Sequence, residues 1–227
     1  PAVSVGDFEE IMRPILTGGR DILCLCFSST LSTTYQSACI AAQTLSEEVP
    51  EGTVRVVDTL SASLGEGLLV YHAVQKQREG MGIDELASWV EANRNRLAHW
   101  FTVDDLNFLK RGGRVSGAAA LFGTMLGIKP VLHVDNDGHL IPVEKVRGRK
   151  NALDALVNHM EKAVEHPENQ AIFISHGNAP EDAEYVAKQV KARFSVPKVY
   201  INYIGPVIGS HAGPGTVALF FLGKSKD

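Results

Sequence analysis

A strand–turn–helix pattern occurs twice in the first third of the chain and constrains the fold more than any other feature. The apolar run 22–27 has strand length, and the segment 35–48 after it is rich in Ala, Leu and Ile. A second strand is predicted over 54–57, before a helix over 64–77. Strands that alternate with helices in this way favour a parallel sheet covered by helices.

Seven hydroxyl side chains crowd the turn after the first strand, in the nine residues 28–36. In open α/β sheets ligands bind at the carboxyl ends of strands, and the free N–H groups of a helix start favour an anion there. The turn has no Lys and no run of glycines, so it predicts a site for a small anion such as a carboxylate rather than a phosphate loop. The alternative is that Ser29 or Thr30 merely caps the helix.

The rest of the chain predicts a hairpin and then alternating helices and strands. The predicted strands are 129–134, 139–146, 171–175, 199–204 and 217–222. A helix beginning at Asp84 is expected to extend through Trp100. We therefore expect an α/β protein of two domains: an N-terminal parallel-sheet α/β/α domain over 1–100, incomplete at its start, and a C-terminal α+β domain over 101–227 with a mixed or antiparallel sheet.

Bulk properties exclude several function classes. The net charge of −4 argues against nucleic-acid binding. The longest apolar stretches fall far short of the ~20 residues that span a bilayer, so no stable membrane insertion is expected. Cys24, Cys26 and Cys39 lie in or beside predicted core elements and favour a reducing, cytoplasmic setting. Since no second Cys/His pair at metal spacing accompanies them, we expect no metal site.

His211 lies in a segment rich in Gly and Pro, residues 205–215, which predicts a tight backbone path. A histidine held there can donate a hydrogen bond to an anion near neutral pH, whereas the alternative is a surface-loop histidine. Ser29 and His211 could instead be the nucleophile and base of a serine esterase or acyltransferase. Ser29 lacks the G-x-S-x-G elbow, which weakens that alternative. An interaction module with an empty cleft is a third possibility.

A basic turn and an apolar stretch follow one another in the middle of the chain. Lys110, Arg111 and Arg114 surround two glycines and could contact a phosphate or an acidic partner, although solvated helix ends are equally consistent with the pattern. The apolar stretch could line a channel or form plain core. Its candidate channel residues are Leu121, Phe122, Met125, Leu126 and Ile128.

Five segments together resemble the DegV family of bacterial fatty-acid-binding proteins. They are FSSTLSTTYQSA (27–38), VRVVDTLSASLGEG (54–67), LKRGGRVSGAAALFGTMLGIKPVL (109–132), DGHL (137–140) with KVRGRKNAL (145–153), and IGPVIGSHAGPG (204–215). Each is a weak motif by itself. Their order matches that of the family and they span nearly the whole chain, which makes the resemblance specific.

The resemblance implies a monomeric protein that holds one long-chain fatty acid, such as palmitate, stearate or oleate, between its two domains. It implies a fatty acid kinase as partner, which phosphorylates the bound carboxylate with ATP, and no cofactor or catalytic residue in this chain. Carried over by motif, the fatty-acid-binding residues are Ser28, Ser29, Ser63, His211 and Gly213. Arg111 and Arg114 would face the kinase.

The sequence departs from the family's pattern at three points. The family usually begins about sixty residues earlier, with a strand and a Thr/Ser-rich loop that adds a threonine to the carboxylate site. Since this chain begins at Pro1, that segment was cleaved, renumbered or left out. Thr30 and Thr33 stand where glycine is common, which stiffens the turn, and Thr59 replaces a common serine but keeps a hydroxyl.

Overall fold

The computed structural model describes residues 2–115 and 127–226. Its elements in chain order are α1 (Val5–Thr17), β1 (Ile22–Cys26), α2 (Thr34–Glu48), β2 (Val54–Asp58), α3 (Leu64–Arg78), α4 (Ile83–Asn93), β3 (Leu97–Thr102), α5 (Asn107–Arg111), β4 (Ile128–Val134), β5 (Leu140–Arg147), α6 (Arg149–Ala163), β6 (Ala171–Gly177), α7 (Pro180–Arg193), β7 (Lys198–Tyr203), α8 (Pro206–Ala212) and β8 (Thr216–Leu222). A short 3₁₀ turn at Pro167–Asn169 precedes β6.

The first two strands form a small parallel sheet, which confirms the prediction from the alternating pattern. β1 and β2 run in register from Ile22 opposite Val54 to Cys26 opposite Asp58. α1 begins with a capping box between Ser4 and Asp7 and packs with α2 against this sheet. The apolar residues buried in that layer are Met12, Leu16, Ala42, Leu45, Val49 and Val54.

The larger sheet is mixed, as expected for the C-terminal part. Its six strands lie in the order β5-β4-β3-β8-β6-β7, and β6 pairs with β7 in parallel while the other neighbours are antiparallel. α6 and α7 pack on one face through a core that includes Leu156, Met160, Ile172, Val186, Val190 and Leu219. α3 packs against β3, β6 and β8 and also contacts β1, so it joins the two sheets.

The helix predicted from Asp84 to Trp100 is wrong in its second half. α4 ends at Asn93, and Leu97 and Trp100 lie in β3. β3 pairs with both β4 and β8, and every one of its residues is buried. A central strand buried on both faces lacks the polar–apolar alternation that reveals a strand in sequence. Residue 100 therefore lies within the larger sheet, and the division into two domains stays a prediction.

The Gly/Pro segment near the C-terminus is a short helix rather than a loop. α8 begins with Pro206 at its first position, where the missing N–H costs no hydrogen bond. It ends at Ala212, and the next residue, Gly213, has a φ of 81°, a backbone conformation that favours glycine. This helix carries His211 in its last turn. The sequence also predicts two short helices between 106 and 127, of which α5 is the first and the second falls outside the described residues.

Candidate functional site

A cavity of about 670 Å³ lies between the small sheet and one face of the larger sheet. Its volume falls within the roughly 300–1,000 Å³ range of small-molecule sites. β1, β3, β6 and β8 contribute to its walls, together with α5, α8 and the starts of α2 and α3. Much of the lining is apolar and includes Leu25, Phe27, Leu31, Phe101, Leu109 and Leu140.

Two helix starts carry hydroxyl groups into the cavity wall. Ser32, Thr33 and Thr34 line it at the beginning of α2, and Ser63 lines it immediately before α3. Ser63 has a φ of 55°, and its hydroxyl donates to Ser175 Oγ at 3.1 Å rather than capping its helix. The free N–H groups at a helix start carry partial positive charge, so this part of the wall favours an anion.

His211 and Arg114 also line the cavity. A Cβ atom on Gly112 would collide with the His211 ring, so glycine at that position allows α5 and α8 to approach closely. Arg114 donates from Nε to the Leu31 carbonyl oxygen at 3.2 Å and from Nη1 to the Gly112 carbonyl oxygen at 2.7 Å. These bonds hold the guanidinium in the wall, between α5 and the hydroxyl turn.

Ser28 and Ser29 do not line the cavity. Ser28 is fully buried and donates to the Gly138 carbonyl oxygen at 3.1 Å, and Thr30 Oγ1 donates to the same oxygen at 2.8 Å. Ser29 is exposed, and its backbone N–H donates to Asp58 Oδ1 at 3.2 Å. The first part of the hydroxyl run thus fastens the small sheet to the β4–β5 turn, while its second part faces the cavity. The predicted carboxylate contact of these two serines stays a prediction.

The other sequence-derived site residues lie elsewhere. Gly213 is buried at the end of α8, where a Cβ would collide with Phe108. Arg111 is exposed, with its guanidinium carbon 4.8 Å from the centre of the Phe108 ring. Ile128 begins β4 outside the cavity lining. Leu121, Phe122, Met125 and Leu126 fall outside the described residues.

Two titratable residues of the wall were missed by the sequence reasoning. Burial raises the pKa of the Glu66 carboxyl to about 7. Burial, followed by the charges of Lys226 and His133, lowers the pKa of His99 to about 3, so this imidazole is neutral at physiological pH. The sequence pattern did not single out His99, because it predicts a helix where β3 lies. It did not single out Glu66, because acidic residues are common in the first turn of a helix.

Cys24 and Cys26 line the cavity with their Sγ atoms 3.6 Å apart. Residues two positions apart in a strand lie on the same face, which brings the two thiols together. The Cys26 thiol can donate to a Cys24 thiolate, which lowers the pKa of Cys24 and raises that of Cys26. Cys24 is therefore the more nucleophilic thiol of the pair.

Three observations on the described residues bear on metal binding, membrane spanning and hydrolysis. Asp135, Asp137 and His139 cluster on the β4–β5 turn, but Asp135 Oδ1 already accepts the backbone N–H groups of the other two. Among the helices in the described ranges, none combines the length and apolarity needed to cross a bilayer. Within the same ranges, no hydrogen bond joins His211 to Ser29.

Comparison with known proteins identifies the family that shares this fold and cavity. The chain belongs to the DegV family: the family model described as "Uncharacterised protein, DegV family" matches residues 1–224. A DegV domain-containing protein of Clostridium perfringens is 48% identical over 220 residues, which cover 97% of this chain and 76% of that relative.

Solved structures share the fold closely. One, described as showing fatty acid binding of a DegV family protein from Thermus thermophilus, has a TM-score of 0.87 at 33% identity and covers 98% of this chain and 78% of its own. A DegV lipid-binding protein from Thermotoga maritima has a TM-score of 0.84 at 30% identity, with coverage of 100% and 77%. The family and fold expected from the five sequence segments are thereby confirmed.

Proposed function

We propose that this protein binds one long-chain fatty acid in the cavity between its two sheets. The apolar cavity of about 670 Å³ is the observation that carries the proposal. Burying a saturated C16 tail contributes roughly 10 kcal/mol, at ~0.8 kcal/mol for each CH₂ group, before the cost of ordering the chain. The Thermus and Thermotoga relatives are described as fatty-acid- and lipid-binding proteins, which supports the same ligand class.

The carboxylate is proposed to bind where hydroxyl groups and helix starts meet in the wall. Ser63 and His211 were expected from the sequence and both line the cavity, as do Ser32 and Thr33. Hydroxyl and imidazole donors next to a helix N-terminus can neutralise an anion without a full countercharge. Ser29 is retained as a candidate, to be tested beside them.

The variant series begins with delipidated protein titrated with palmitate and oleate. Ser63→Ala and His211→Ala should each weaken binding by about 1–3 kcal/mol, the cost of losing a hydrogen bond to a charged group. Ser46→Ala, an exposed hydroxyl on α2, is the matched control and should bind as the parent does. If both cavity variants bind normally and Ser29→Ala does not, the carboxylate is held at the outer part of the hydroxyl turn instead.

We further propose that the protein is a cytoplasmic monomer without catalytic activity or cofactor, and that it carries lipid to a fatty acid kinase. Arg111 is exposed beside the cavity-lining α8 region and is a candidate contact for that kinase. Arg111→Ala should leave lipid affinity unchanged and slow acyl-phosphate formation, more strongly at low salt, because a rim charge acts mainly on association rate. Unchanged kinase turnover at low and moderate salt would mean that Arg111 is a solvated surface residue that does not contact the kinase.

Saturable hydrolysis of p-nitrophenyl esters that Ser29→Ala abolishes would favour the esterase alternative. The same assay on His211→Ala separates a catalytic base from a carboxylate contact. A protein that only binds fatty acid should hydrolyse no p-nitrophenyl ester, either as the parent or as either variant.

A further inference from the structure

Glu66 is an acidic side chain in the wall of the cavity, much of which is apolar. It lies in the first turn of α3, one turn after Ser63, and is partly buried. In the described part of the chain no donor hydrogen-bonds to its carboxyl group and no cation pairs with it. The partial positive charge at the start of α3 would favour the anion. Desolvation outweighs that effect, because the pKa of this carboxyl is raised to about 7.

The titratable groups that share the cavity wall do not supply a partner. β1 contributes the thiols of Cys24 and Cys26, which hydrogen-bond to each other. β3 contributes His99, which stays neutral because burial lowers its pKa to about 3. Arg114 donates to two backbone carbonyl oxygens, and β6 and β8 contribute only uncharged groups. Among the described lining residues, His211 on α8 is the remaining titratable one.

An unsubstituted acyl chain packed against Glu66 would itself offer this carboxyl group no hydrogen bond. A buried polar group that loses water and gains no partner is destabilised in either protonation state. A hydroxyl group pairs with both states, since it donates to the carboxylate and accepts from the protonated acid. A ligand that satisfies such a group is discriminated from its unsubstituted analogue much more strongly than by packing alone.

We propose that Glu66 is a specificity-determining residue that selects a long-chain fatty acid bearing a hydroxyl group on its chain. This inference rests on the proposed fatty-acid function and specifies the ligand class of the same cavity. Glu66 acts by hydrogen bonding to the chain and not to the head group, since the two acidic groups repel one another when both are ionised.

The test compares stearic acid with a hydroxystearic acid that carries its hydroxyl group close to the carboxyl end, because Glu66 lies one helical turn from Ser63, the proposed carboxylate contact. Delipidated parent protein should bind the hydroxylated acid at least about ten-fold more tightly, the factor that corresponds to one hydrogen bond to a charged group. The preference should persist at about pH 6 and about pH 8, because the hydroxyl group pairs with both forms of the carboxyl. Glu66→Gln keeps the hydrogen-bonding capacity and should keep the preference.

Glu66→Leu removes the polar group at similar volume. It should bind stearic acid more tightly than the parent and lose the preference for the hydroxylated acid. Glu47→Leu, at an exposed position on α2, is the control and should change neither affinity. Equal binding of the two acids by the parent, or a preference that survives in Glu66→Leu, would overturn the inference while leaving fatty-acid binding intact. Failure of the parent to bind either acid would instead refute the proposed function.

Discussion

Replacing Glu66 with Gln should stabilise the delipidated protein, and only at the higher pH values. The carboxyl has a pKa raised from 4.5 to about 7 in the folded protein. Between these two values the folded state retains a proton that the unfolded state has released, so the free energy of unfolding falls as pH rises. The full penalty above pH about 7 is up to about 3 kcal/mol, at 1.36 kcal/mol for each pKa unit. Glutamine has nearly the same shape and never ionises.

Urea unfolding of parent and Glu66→Gln, at about pH 5 and about pH 8, measures this difference directly. The advantage of the variant should grow by about 2.5 kcal/mol between the two conditions, from the two pKa values and the linkage relation. Glu47→Gln on the exposed face of α2 is the control and should follow the parent at both pH values. An advantage of the same size at both pH values would refute the claim that Glu66 is desolvated.

Two further predictions concern the cavity thiols and the hydrogen bond between Ser28 and the β4–β5 turn. A bound fatty acid should slow the reaction of Cys24 with a maleimide severalfold, because Cys24 lines the cavity. Cys39 lies outside the lining and should react at an unchanged rate. Mass spectrometry of the labelled peptides, with and without oleate, measures both rates, and an unchanged rate at Cys24 would contradict the prediction. Ser28→Ala should lower the free energy of unfolding by about 1 kcal/mol, since its buried hydroxyl donates to the Gly138 carbonyl oxygen. Calorimetric titration of the same variant with palmitate tests the predicted carboxylate contact of Ser28: a loss of affinity would support that contact, and an affinity equal to that of the parent would refute it.

Much of the fold is encoded locally and could be predicted. The capping box at Ser4 and Asp7, the apolar run of β1 and the Asp-Gly turn at 137–138 each specify their element through short-range chemistry. β3 could not be found in the same way. Its identity depends on two partner strands distant in sequence, and its uniformly buried residues carry no periodic signal.

Two residues expected at the site do lie at the cavity, and their role as carboxylate contacts stays a prediction. A strand–turn–helix junction marks where anions bind, and Ser63 and His211 do line the cavity. Which hydroxyls of the turn face inward depends on the position of the β4–β5 turn, whose Gly138 carbonyl oxygen binds Ser28 and Thr30. Glu66 gave no distinctive signal, because burial in the cavity wall, and not its local sequence, raises the pKa of its carboxyl group.

Extraction of the purified protein into organic solvent, followed by mass spectrometry, tests the central claim most directly. The protein should carry close to one equivalent of a long-chain fatty acid when purified from a bacterial host. Delipidated protein should take up palmitate or oleate again to the same stoichiometry. Protein that is free of lipid when purified and also fails to bind either acid in titration would contradict the account, because the cavity between the sheets would then have another occupant.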